Sequence, residues 1–356
     1  MLDDRSLAFL QRLLDAHGPS GFEQAPARIW RGEAQAFATV DVDVAGNSMA
    51  TLNPGGSPKV MLAGHVDEIG LMVVHVDDEG FVHFAPIGGW DSQVLVGQRI
   101  VIEGRSGPVV GVIGKKPIHL MKQEERDKVS KIRDLWIDIG ATSRDEALKR
   151  VRVGDAGVIA SQLQEFPNSR LVSRSVDNRI GAFVVLESLR RLSRVKGLKA
   201  CVTAVATTQE EIAHTGGGAR TSAFALEPAA AVVVDVTHAT DYPGVEKKEV
   251  GDFRLGAGPA ISRGSSVSRV VFDQLVAAAE AAQIPYAIEA APRGTSTDAD
   301  QIFTARHGIA TGLVSVPCRY MHSPNEMVSV EDLDRVAQLL AAWAAQLAPA
   351  TSFIPS

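Results

Sequence analysis

The sequence predicts an α/β protein: an α/β/α core around a mixed sheet, with a small β-barrel-like domain inserted into it. Three observations carry this prediction. The chain has 356 residues, more than the ~250–300 at which a single hydrophobic core usually stops growing. Apolar runs of strand length alternate with helical periodicity towards both ends of the chain. Between these ends, residues 71–164 contain short β-type runs separated by Gly and Asp turns.

The inserted domain lies between two strand-end motifs, so we expect residues 1–70 and 165–356 to form one discontinuous domain around residues 71–164. Many short strands with frequent turns are typical of a small barrel. The β-type runs within the insertion are residues 71–75, 81–86, 98–103, 109–113 and 156–160.

The N-terminal part of the discontinuous domain opens with an amphipathic helix. Leu7, Leu10 and Leu14 recur at helical spacing, and the pattern stops at the His-Gly-Pro of residues 17–19. The elements predicted next are a helix near residues 24–37, β-type segments within 39–52, and a short apolar run at 59–63 that is typical of a central parallel strand.

The C-terminal part continues the alternation of strands and helices. Its first helix carries Ala182, Val185 and Leu189 at helical spacing and is preceded by Asp177. The predicted strands are residues 200–206, 229–236, 251–255, 286–290 and 309–316. The predicted helices are residues 267–282, 298–306 and 330–347.

Composition and charge exclude several classes of protein. Hydrophobic residues make up 45% of the chain, enough for a large core, and the net charge of −6 comes from interspersed acids and bases without a basic block. No signal peptide is evident, and no apolar run reaches the ~18–20 residues of a membrane span. We therefore expect a cytoplasmic protein that binds neither nucleic acid nor membrane. Cys201 and Cys318 lie in apolar runs and are expected to be buried thiols.

Two adjacent acids, Glu210 and Glu211, follow the apolar run 200–206. Consecutive side chains of a strand point to opposite faces. One acid can therefore hold a metal ion while the other handles a proton. The alternative is a solvated acidic turn, since Glu-Glu pairs are common on protein surfaces.

Other polar residues also stand where apolar runs end or helices begin. His65 and Asp67 lie two residues apart, hence on one face of an extended segment. A lone histidine is more often structural, but a ligating imidazole commonly has its second nitrogen oriented by a carboxylate. Asp177 precedes a helix, where a role as N-cap is the alternative. Asp235 and His322 stand at or beyond the ends of two further strands.

These residues are expected to converge at the carboxyl edge of the sheet, where open α/β folds bind ligands. Imidazoles and carboxylates without a thiolate suit zinc, with cobalt or manganese as alternatives. Five ligands including one bridging carboxylate predict two cations about 3.5 Å apart, which would polarise a carbonyl oxygen and lower the pKa of a shared water. A remaining carboxylate, Glu210 or Glu211, would carry the proton from that water to the leaving amine.

Seven motifs occur in order across nearly the whole chain, and with them the sequence resembles the M42 metallo-aminopeptidases, the family of the glutamyl, deblocking and tetrahedral aminopeptidases. A single motif is a weak signal, whereas seven in register are a strong one. The motifs are PSGFE (19–23), GHVDEIG (64–70), SVDNRIG (175–181), TTQEE (207–211), VVDVTHA (233–239), GTSTDA (294–299) and RYMHSP (319–324).

The resemblance implies an α/β/α metallopeptidase core and a role for each site residue. His65 and Asp235 would be terminal ligands of one metal ion, Glu211 and His322 would be terminal ligands of the other, and Asp177 would bridge the two. Glu210 would be the general acid and base, and Asp67 would orient His65. The peptide bond between Asp177 and Asn178 would be cis.

The resemblance also implies how the protein acts and assembles. The substrates would be peptides with a free N-terminus. The inserted β domain would mediate dimerisation, and the dimers would build a tetrahedral dodecamer that admits peptides and excludes folded proteins. The loop 294–299 would line the substrate cleft, with Gly294, Thr295 and Asp298 as candidate substrate-binding residues, although ordinary turn chemistry also accounts for it.

One departure from the family pattern follows the Glu-Glu pair. The family usually continues Val/Ile-Gly-Leu-Arg-Gly-Ala, whereas this chain reads Ile-Ala-His-Thr-Gly-Gly at residues 212–217. His214 is therefore an additional histidine, for which we favour a lining or packing role over a secondary metal contact. The departure affects the shape of the substrate site and not the predicted metal centre.

The same residues are compatible with other functions. A related metal-dependent deacylase or carboxypeptidase would use the same scaffold on a different bond, and N-acetylated peptides distinguish it from an aminopeptidase. A metal-binding assembly protein with vestigial turnover would bind metal without peptidase activity. A glycosidase would use paired acids but would leave His65 and His322 without a role.

Overall fold

The computed structural model of this chain describes residues 2–212 and 217–355. The strands of the described residues are β1 (Thr39–Val42), β2 (Ser48–Leu52), β3 (Lys59–His65), β4 (Gly70–Val76), β5 (Val82–Ile87), β6 (Arg99–Gly104), β7 (Gly107–Gly114), β8 (Trp136–Asp138), β9 (Ala156–Ile159), β10 (Gln164–Phe166), β11 (Arg170–Ser173), β12 (Cys201–Thr207), β13 (Ala230–His238), β14 (Ala260–Gly264), β15 (Ala287–Ala291), β16 (Ala310–Cys318) and β17 (Glu326–Ser329).

The helices alternate with these strands. They are α1 (Asp4–Asp15), α2 (Gln24–Ala34), α3 (Ser92–Leu95), α4 (Gln123–Arg126), α5 (Arg144–Arg150), α6 (Val176–Leu192), α7 (Gly217–Leu226), α8 (Lys247–Val250), α9 (Arg269–Ala281), α10 (Asp298–Ile302) and α11 (Val330–Gln346). Within the described residues, no helix combines the length and the apolar character that a bilayer span requires.

A mixed sheet of eight strands, in the order β1-β2-β12-β3-β13-β16-β14-β15, forms the centre of the molecule. Its four middle strands, β12, β3, β13 and β16, run parallel to one another. On one side β2 pairs antiparallel with β12, and on the other side β14 pairs antiparallel with β16. The parallel register pairs His65 with Thr207 and Asp235 with Ser315. Four neighbouring strands therefore end at the same edge, and the predicted mixed sheet is confirmed.

Helices cover both faces of this sheet. Val60 and Leu62 of β3 pack into the large core under α1, α2, α6, α9 and α11, whereas Met61 and Ala63 pack into a second core under α7 and α10. The alternation follows from the two-residue period of a strand. A strand buried on both faces reads as a continuous apolar run, which is how residues 59–63 appear in the sequence.

The segment between β3 and β10 forms a closed barrel of six strands in the order β4-β5-β8-β7-β6-β9. The barrel has its own hydrophobic core, to which Phe84, Ile100 and Ile137 contribute. This confirms the predicted β-barrel-like module, while the exact limits of residues 71–164 as a domain stay a prediction. Strand β8 was not foreseen, because three residues are too few to show a period.

One predicted strand is wrong. Residues 251–255 form no strand: the N–H groups of Phe253 and Leu255 donate to the side chains of Thr240 and Asp241, at Oγ1 and Oδ2, instead of to a neighbouring strand. Phe253 and Leu255 are both buried, so their alternation mimicked a strand. The strand of this region is instead β14. Helix α10 is also shorter than residues 298–306, since it ends at Ile302.

Candidate metal centre

Six side chains that the sequence analysis singled out meet at the carboxyl edge of the sheet. His65 ends β3, Asp235 lies near the end of β13, and Asp177 stands in the first turn of α6. Glu210 and Glu211 follow β12, and His322 follows β16. We call His65, Asp177, Glu210, Glu211, Asp235 and His322 the strand-end cluster.

Close packing of α6 on β3 brings Asp177 to His65. Gly64 makes this possible, since a Cβ atom at that position would lie 2.4 Å from the carbonyl carbon of Gly181. Only glycine allows the two backbones to approach so closely. The peptide bond between Asp177 and Asn178 is cis, as the resemblance implied.

The carboxylate of Asp177 lies between the two imidazoles. Its Oδ1 is 3.3 Å from His65 Nε2, and its Oδ2 is 3.4 Å from His322 Nε2. Two groups of potential ligand atoms share Asp177, one completed by His65 and Asp235 and the other by Glu211 and His322, and within each group all atoms lie within 4.8 Å of one another. Asp177 thus has the position expected of a bridging ligand.

Negative charge accumulates in this cluster. Burial, followed by repulsion from Asp235, Asp298 and Glu211, raises the pKa of Glu210 to about 10. Burial and the neighbouring Asp177 likewise raise the pKa of Asp235 well above its usual value. Burial should raise the pKa of Asp177 as well, but hydrogen bonds from His322 and His65 outweigh it and lower that pKa.

The side chains present fit divalent cations. Glu211 Oε1 is buried and has no hydrogen-bond partner among the described residues, which leaves a carboxylate oxygen free to bind a cation. Bound cations would neutralise the repulsion that raises the carboxylate pKa values. Imidazole nitrogens and carboxylate oxygens are ligands of zinc, and they also suit cobalt and manganese.

Asp67 holds the backbone of the two glutamates. Its Oδ1 accepts the N–H of Glu210 and its Oδ2 that of Glu211, each at 3.2 Å, and Ser20 Oγ donates to Oδ2 at 2.5 Å. His65 Nδ1 lies 3.2 Å from the carbonyl oxygen of Asp67 and 3.5 Å from its Oδ1. Both groups therefore face the ring, and the predicted orienting role stays a prediction.

Two buried acids near the cluster were missed by the sequence analysis. Glu326 of β17 accepts the N–H of His322 on Oε1 at 2.8 Å and that of Asp177 on Oε2 at 2.9 Å. Glu23 accepts the N–H of Gln209 at 3.1 Å, and burial raises its pKa to about 7. Gln209 and His322 have φ values of 61° and 58°, so these bonds hold backbone that non-glycine residues rarely adopt. Glu23 belongs to the PSGFE motif, whereas nothing local distinguishes Glu326.

A cavity of about 860 Å³ opens beside the strand-end cluster. The predicted substrate-binding residues Gly294, Thr295 and Asp298 line it. Asp298 is buried and accepts a hydrogen bond from Thr207 Oγ1 at 2.5 Å, and burial raises its pKa to about 6. The N–H and hydroxyl of Thr295 donate to Asp300 at 2.9 Å, so Thr295 shapes the loop as well as the wall. His214 lies outside the described residues.

Comparisons with known proteins find similar proteins over nearly the whole chain. The model of the M42 glutamyl aminopeptidase family matches residues 46–339. A lysyl aminopeptidase of Pyrococcus furiosus is 34% identical over 348 residues, which cover 96% of this chain and 97% of the relative. Both the family match and this relative extend across the inserted barrel.

Solved structures show the same similarity in three dimensions. A TET aminopeptidase from a marine sediment archaeon of the Thaumarchaeota has a TM-score of 0.92 at 34% identity, with 97% of each chain covered. The TET1 peptidase of Pyrococcus horikoshii, described as assembling into a tetrahedron or a large octahedral shell, has a TM-score of 0.84 at 30% identity, with 96% of this chain and 100% of that chain covered.

Proposed function

The chain belongs to the M42 glutamyl aminopeptidase family and is an aminopeptidase, and we propose that it hydrolyses the N-terminal peptide bond of peptides with two divalent cations held by the strand-end cluster. The observation that carries this proposal is the position of Asp177 between two groups of ligand atoms. A single carboxylate shared by two such groups is suited to a pair of cations.

The ligands follow from these groups. His65 and Asp235 would hold one cation, Glu211 and His322 the other, and Asp177 both. Zinc fits this donor set, with cobalt or manganese as alternatives. When bound, such cations polarise the carbonyl oxygen of the scissile bond and lower the pKa of a water. The M42 aminopeptidases are metal-dependent, which supports this assignment.

Glu210 would move the proton. Its Oε2 lies 3.7 Å from His65 Nε2, so the carboxylate is close to the potential ligands without belonging to either group of ligand atoms. It would take a proton from the attacking water and donate it to the leaving amine. Asp67 would support this step, because it holds the backbone N–H of Glu210 and fixes where the side chain starts.

The acidic surroundings would also receive the substrate. The positively charged α-amino group of a peptide is attracted to carboxylates, and Glu210 and Asp298 line the cavity on the side of the cluster. The loop with Gly294 and Thr295 would form the opposite wall. A peptide with a blocked N-terminus lacks this charge and should be rejected.

The barrel would mediate dimerisation, and dimers would assemble into a tetrahedral dodecamer. The overall similarity to TET aminopeptidases, one of which forms a tetrahedron, supports this proposal. Light scattering coupled to size exclusion tests it, since a dodecamer has twelve times the chain mass of 37.8 kDa. A monomer at micromolar concentration would contradict it. We further propose a cytoplasmic location and no nucleic-acid or membrane partner.

The substitution Glu210→Gln tests the mechanism. We expect kcat to fall by at least roughly 10²–10⁴-fold, because proton transfer by a positioned carboxylate is lost. The metal content measured by atomic emission should stay at the wild-type value, since Glu210 is not a proposed ligand. Retained turnover would remove Glu210 from this role.

A second assay separates the aminopeptidase from a deacylase or carboxypeptidase. Free and N-acetylated forms of one peptide are compared, with products identified by mass spectrometry. Release of the first residue from the free peptide alone supports the proposal. Cleavage of the acetyl group or of the C-terminal residue would contradict it, and metal binding without any turnover would indicate an assembly protein.

A further inference from the structure

The cavity beside the strand-end cluster contains a carboxylate that the mechanism does not use. Glu289 of β15 lines the cavity and is not one of the potential ligand residues. Its Oε1 accepts a hydrogen bond from Thr237 Oγ1 at 2.5 Å, and its Oε2 accepts one from Ser262 Oγ at 3.1 Å. Two hydroxyl groups thus fix the carboxylate in the wall.

A row of polar side chains leads from the proposed metal centre to Glu289. Asp235 is paired with Ser315 across β13 and β16, and Ser262 is paired with Glu289 across β14 and β15. All of these residues, with Thr237, line the cavity. Strands β13, β16, β14 and β15 therefore contribute to one side of the cavity, with a proposed ligand on β13 and the carboxylate of Glu289 on β15.

The spacing along this wall suits an amino-acid side chain. Thr237 lies two residues beyond Asp235 on β13. Its side chain therefore points to the same face of the sheet and lies roughly 6–7 Å farther along the strand. The carboxylate of Glu289 contacts Thr237. The flexible four-carbon stem of a lysine can extend over such a separation.

Glu289 has no cationic partner of its own. Throughout residues 2–212 and 217–355, no Lys, Arg or His nitrogen forms an ion pair with its carboxylate. A carboxylate that receives two hydroxyl hydrogen bonds and faces a cavity is a preorganised acceptor for a ligand cation.

We propose that Glu289 selects substrates whose N-terminal residue carries a basic side chain, lysine or arginine. This inference rests on the proposed aminopeptidase function and adds the class of residue that is removed. The ammonium or guanidinium group would donate to Glu289, while the α-amino group and scissile bond lie at the strand-end cluster.

The cavity offers one argument for the opposite preference. Among the described residues that line the cavity, Arg293 is the single lysine or arginine. Its positive charge would favour a substrate with an acidic side chain. However, Arg293 is exposed, and its guanidinium has no hydrogen-bond partner within the described parts of the chain. A solvated, unfixed charge selects less strongly than one held by two hydroxyl groups.

The experiment compares lysyl and norleucyl p-nitroanilides, because norleucine has the lysine stem without its ammonium. Wild-type enzyme should have the higher kcat/KM on the lysyl substrate. In Glu289→Gln this value should fall by roughly 10- to 100-fold, the range for a lost hydrogen bond to a charged group. The value for the norleucyl substrate should stay within about threefold, since the amide keeps the shape of the side chain.

A matched control uses Glu280→Gln. Glu280 also accepts a hydrogen bond from a hydroxyl group, that of Tyr286 at 3.2 Å, but it is exposed on α9 and does not line the cavity. This variant should keep the lysyl preference. An equal loss of lysyl preference in the control would show that removing any negative charge has this effect, and it would overturn the inference.

A binding measurement provides a readout independent of turnover. Calorimetry with free lysine and free norleucine, the hydrolysis products, should show tighter binding of lysine to the wild type and no difference for Glu289→Gln. A wild-type preference for glutamyl or norleucyl substrates would overturn the inference while leaving the aminopeptidase function intact. Absence of hydrolysis of every p-nitroanilide would instead contradict the proposed function.

Discussion

Two clusters of buried charge lie in the same part of the molecule and are balanced in opposite ways. In the arginine cluster, formed by Glu68, Arg174 and Arg179, one carboxylate receives two guanidinium groups at 2.5 and 2.8 Å. In the strand-end cluster, four carboxylates share two imidazoles. The segment between β3 and β4 joins the clusters, since His65 and Glu68 are three residues apart.

The buried guanidinium of Arg179 in the arginine cluster has several acceptors. Arg179 donates to the carbonyl groups of Val66, Leu13 and Gly18 in addition to Glu68. Burial lowers the pKa of Arg179 to about 10, which still leaves it charged at neutral pH. A buried charge with enough partners holds segments together and requires no ligand.

The strand-end cluster is the opposite case. Burial raises the pKa values of Glu210, Glu211 and Asp235, three of its four carboxylates, and Glu211 retains a free oxygen. Buried carboxylates without enough counter-charge are unfavourable for folding. The proposed cations would supply the positive charge that these carboxylates lack. The difference between the clusters thus distinguishes structural ion pairs from the proposed metal centre, although both contain buried acids.

The largest expected effect is on stability and concerns the arginine cluster. Arg179→Met removes one guanidinium and leaves Glu68 and several carbonyl groups short of donors. We expect the free energy of unfolding to fall by about 3–5 kcal/mol, as for other broken buried ion pairs. Urea denaturation in the presence of a chelator measures it.

The matched control is Arg5→Met. Arg5 also pairs with a buried acid, Glu33, at 2.8 Å, but its own side chain is 62% exposed. Its loss should lower the free energy of unfolding by about 1 kcal/mol or less. Similar losses in both variants would show that burial of the arginine cluster does not increase its contribution to the free energy of unfolding, which would contradict the comparison.

The next effect has the opposite sign. In cation-free protein, Asp235→Asn should raise the free energy of unfolding by roughly 1–3 kcal/mol at pH 8, because it removes an unbalanced buried acid. Burial raises the pKa of Asp235, so the folded state binds more protons than the unfolded state. Its contribution therefore lowers stability increasingly as pH rises above about 4, the unfolded value.

The gain from Asp235→Asn should consequently be larger at pH 8 than at pH 5. Denaturation curves of wild type and variant across this range, all with chelator, provide the check. Glu68→Gln is the counterpart in the arginine cluster and should be destabilising at each pH, because it leaves two guanidinium groups without their acid. Destabilisation by both variants would break the distinction between the clusters.

The smallest expected effect concerns the support of the strand-end cluster. Glu326→Gln leaves one carbonyl oxygen for two N–H groups, those of Asp177 and His322. We expect zinc affinity to fall roughly 10-fold, as for other residues that orient metal ligands. Calorimetric titration with zinc measures this, with the exposed Glu331→Gln as the control. Unchanged affinity would mean that β17 does not position the ligands.

Local patterns in the sequence predicted much of the sheet and of the site. Apolar runs such as residues 59–63 and 200–206 mark strands buried on both faces, and the polar residues that follow them necessarily lie at a sheet edge. For this reason His65, Glu210 and Asp235 were found from position alone. The roles of the individual residues came from the resemblance to the family and remain proposals.

Residues whose importance depends on distant contacts could not be predicted. Glu326 is one acid after a turn, and only the fold brings its carboxylate to the N–H of Asp177, which is 149 residues away. Glu289 similarly depends on contact with Thr237. Conversely, residues 251–255 resembled a strand because burial alternates there, while the N–H groups of Phe253 and Leu255 donate to side chains.

The sequence by itself determined the α/β architecture, the inserted barrel and the kind of chemistry, since strand period, turn residues and the choice of imidazole and carboxylate are all local properties. Only the tertiary structure decided which acids are balanced. Strand order and helix packing set the distances between side chains. Those distances place two arginines on Glu68 and both imidazoles on Asp177.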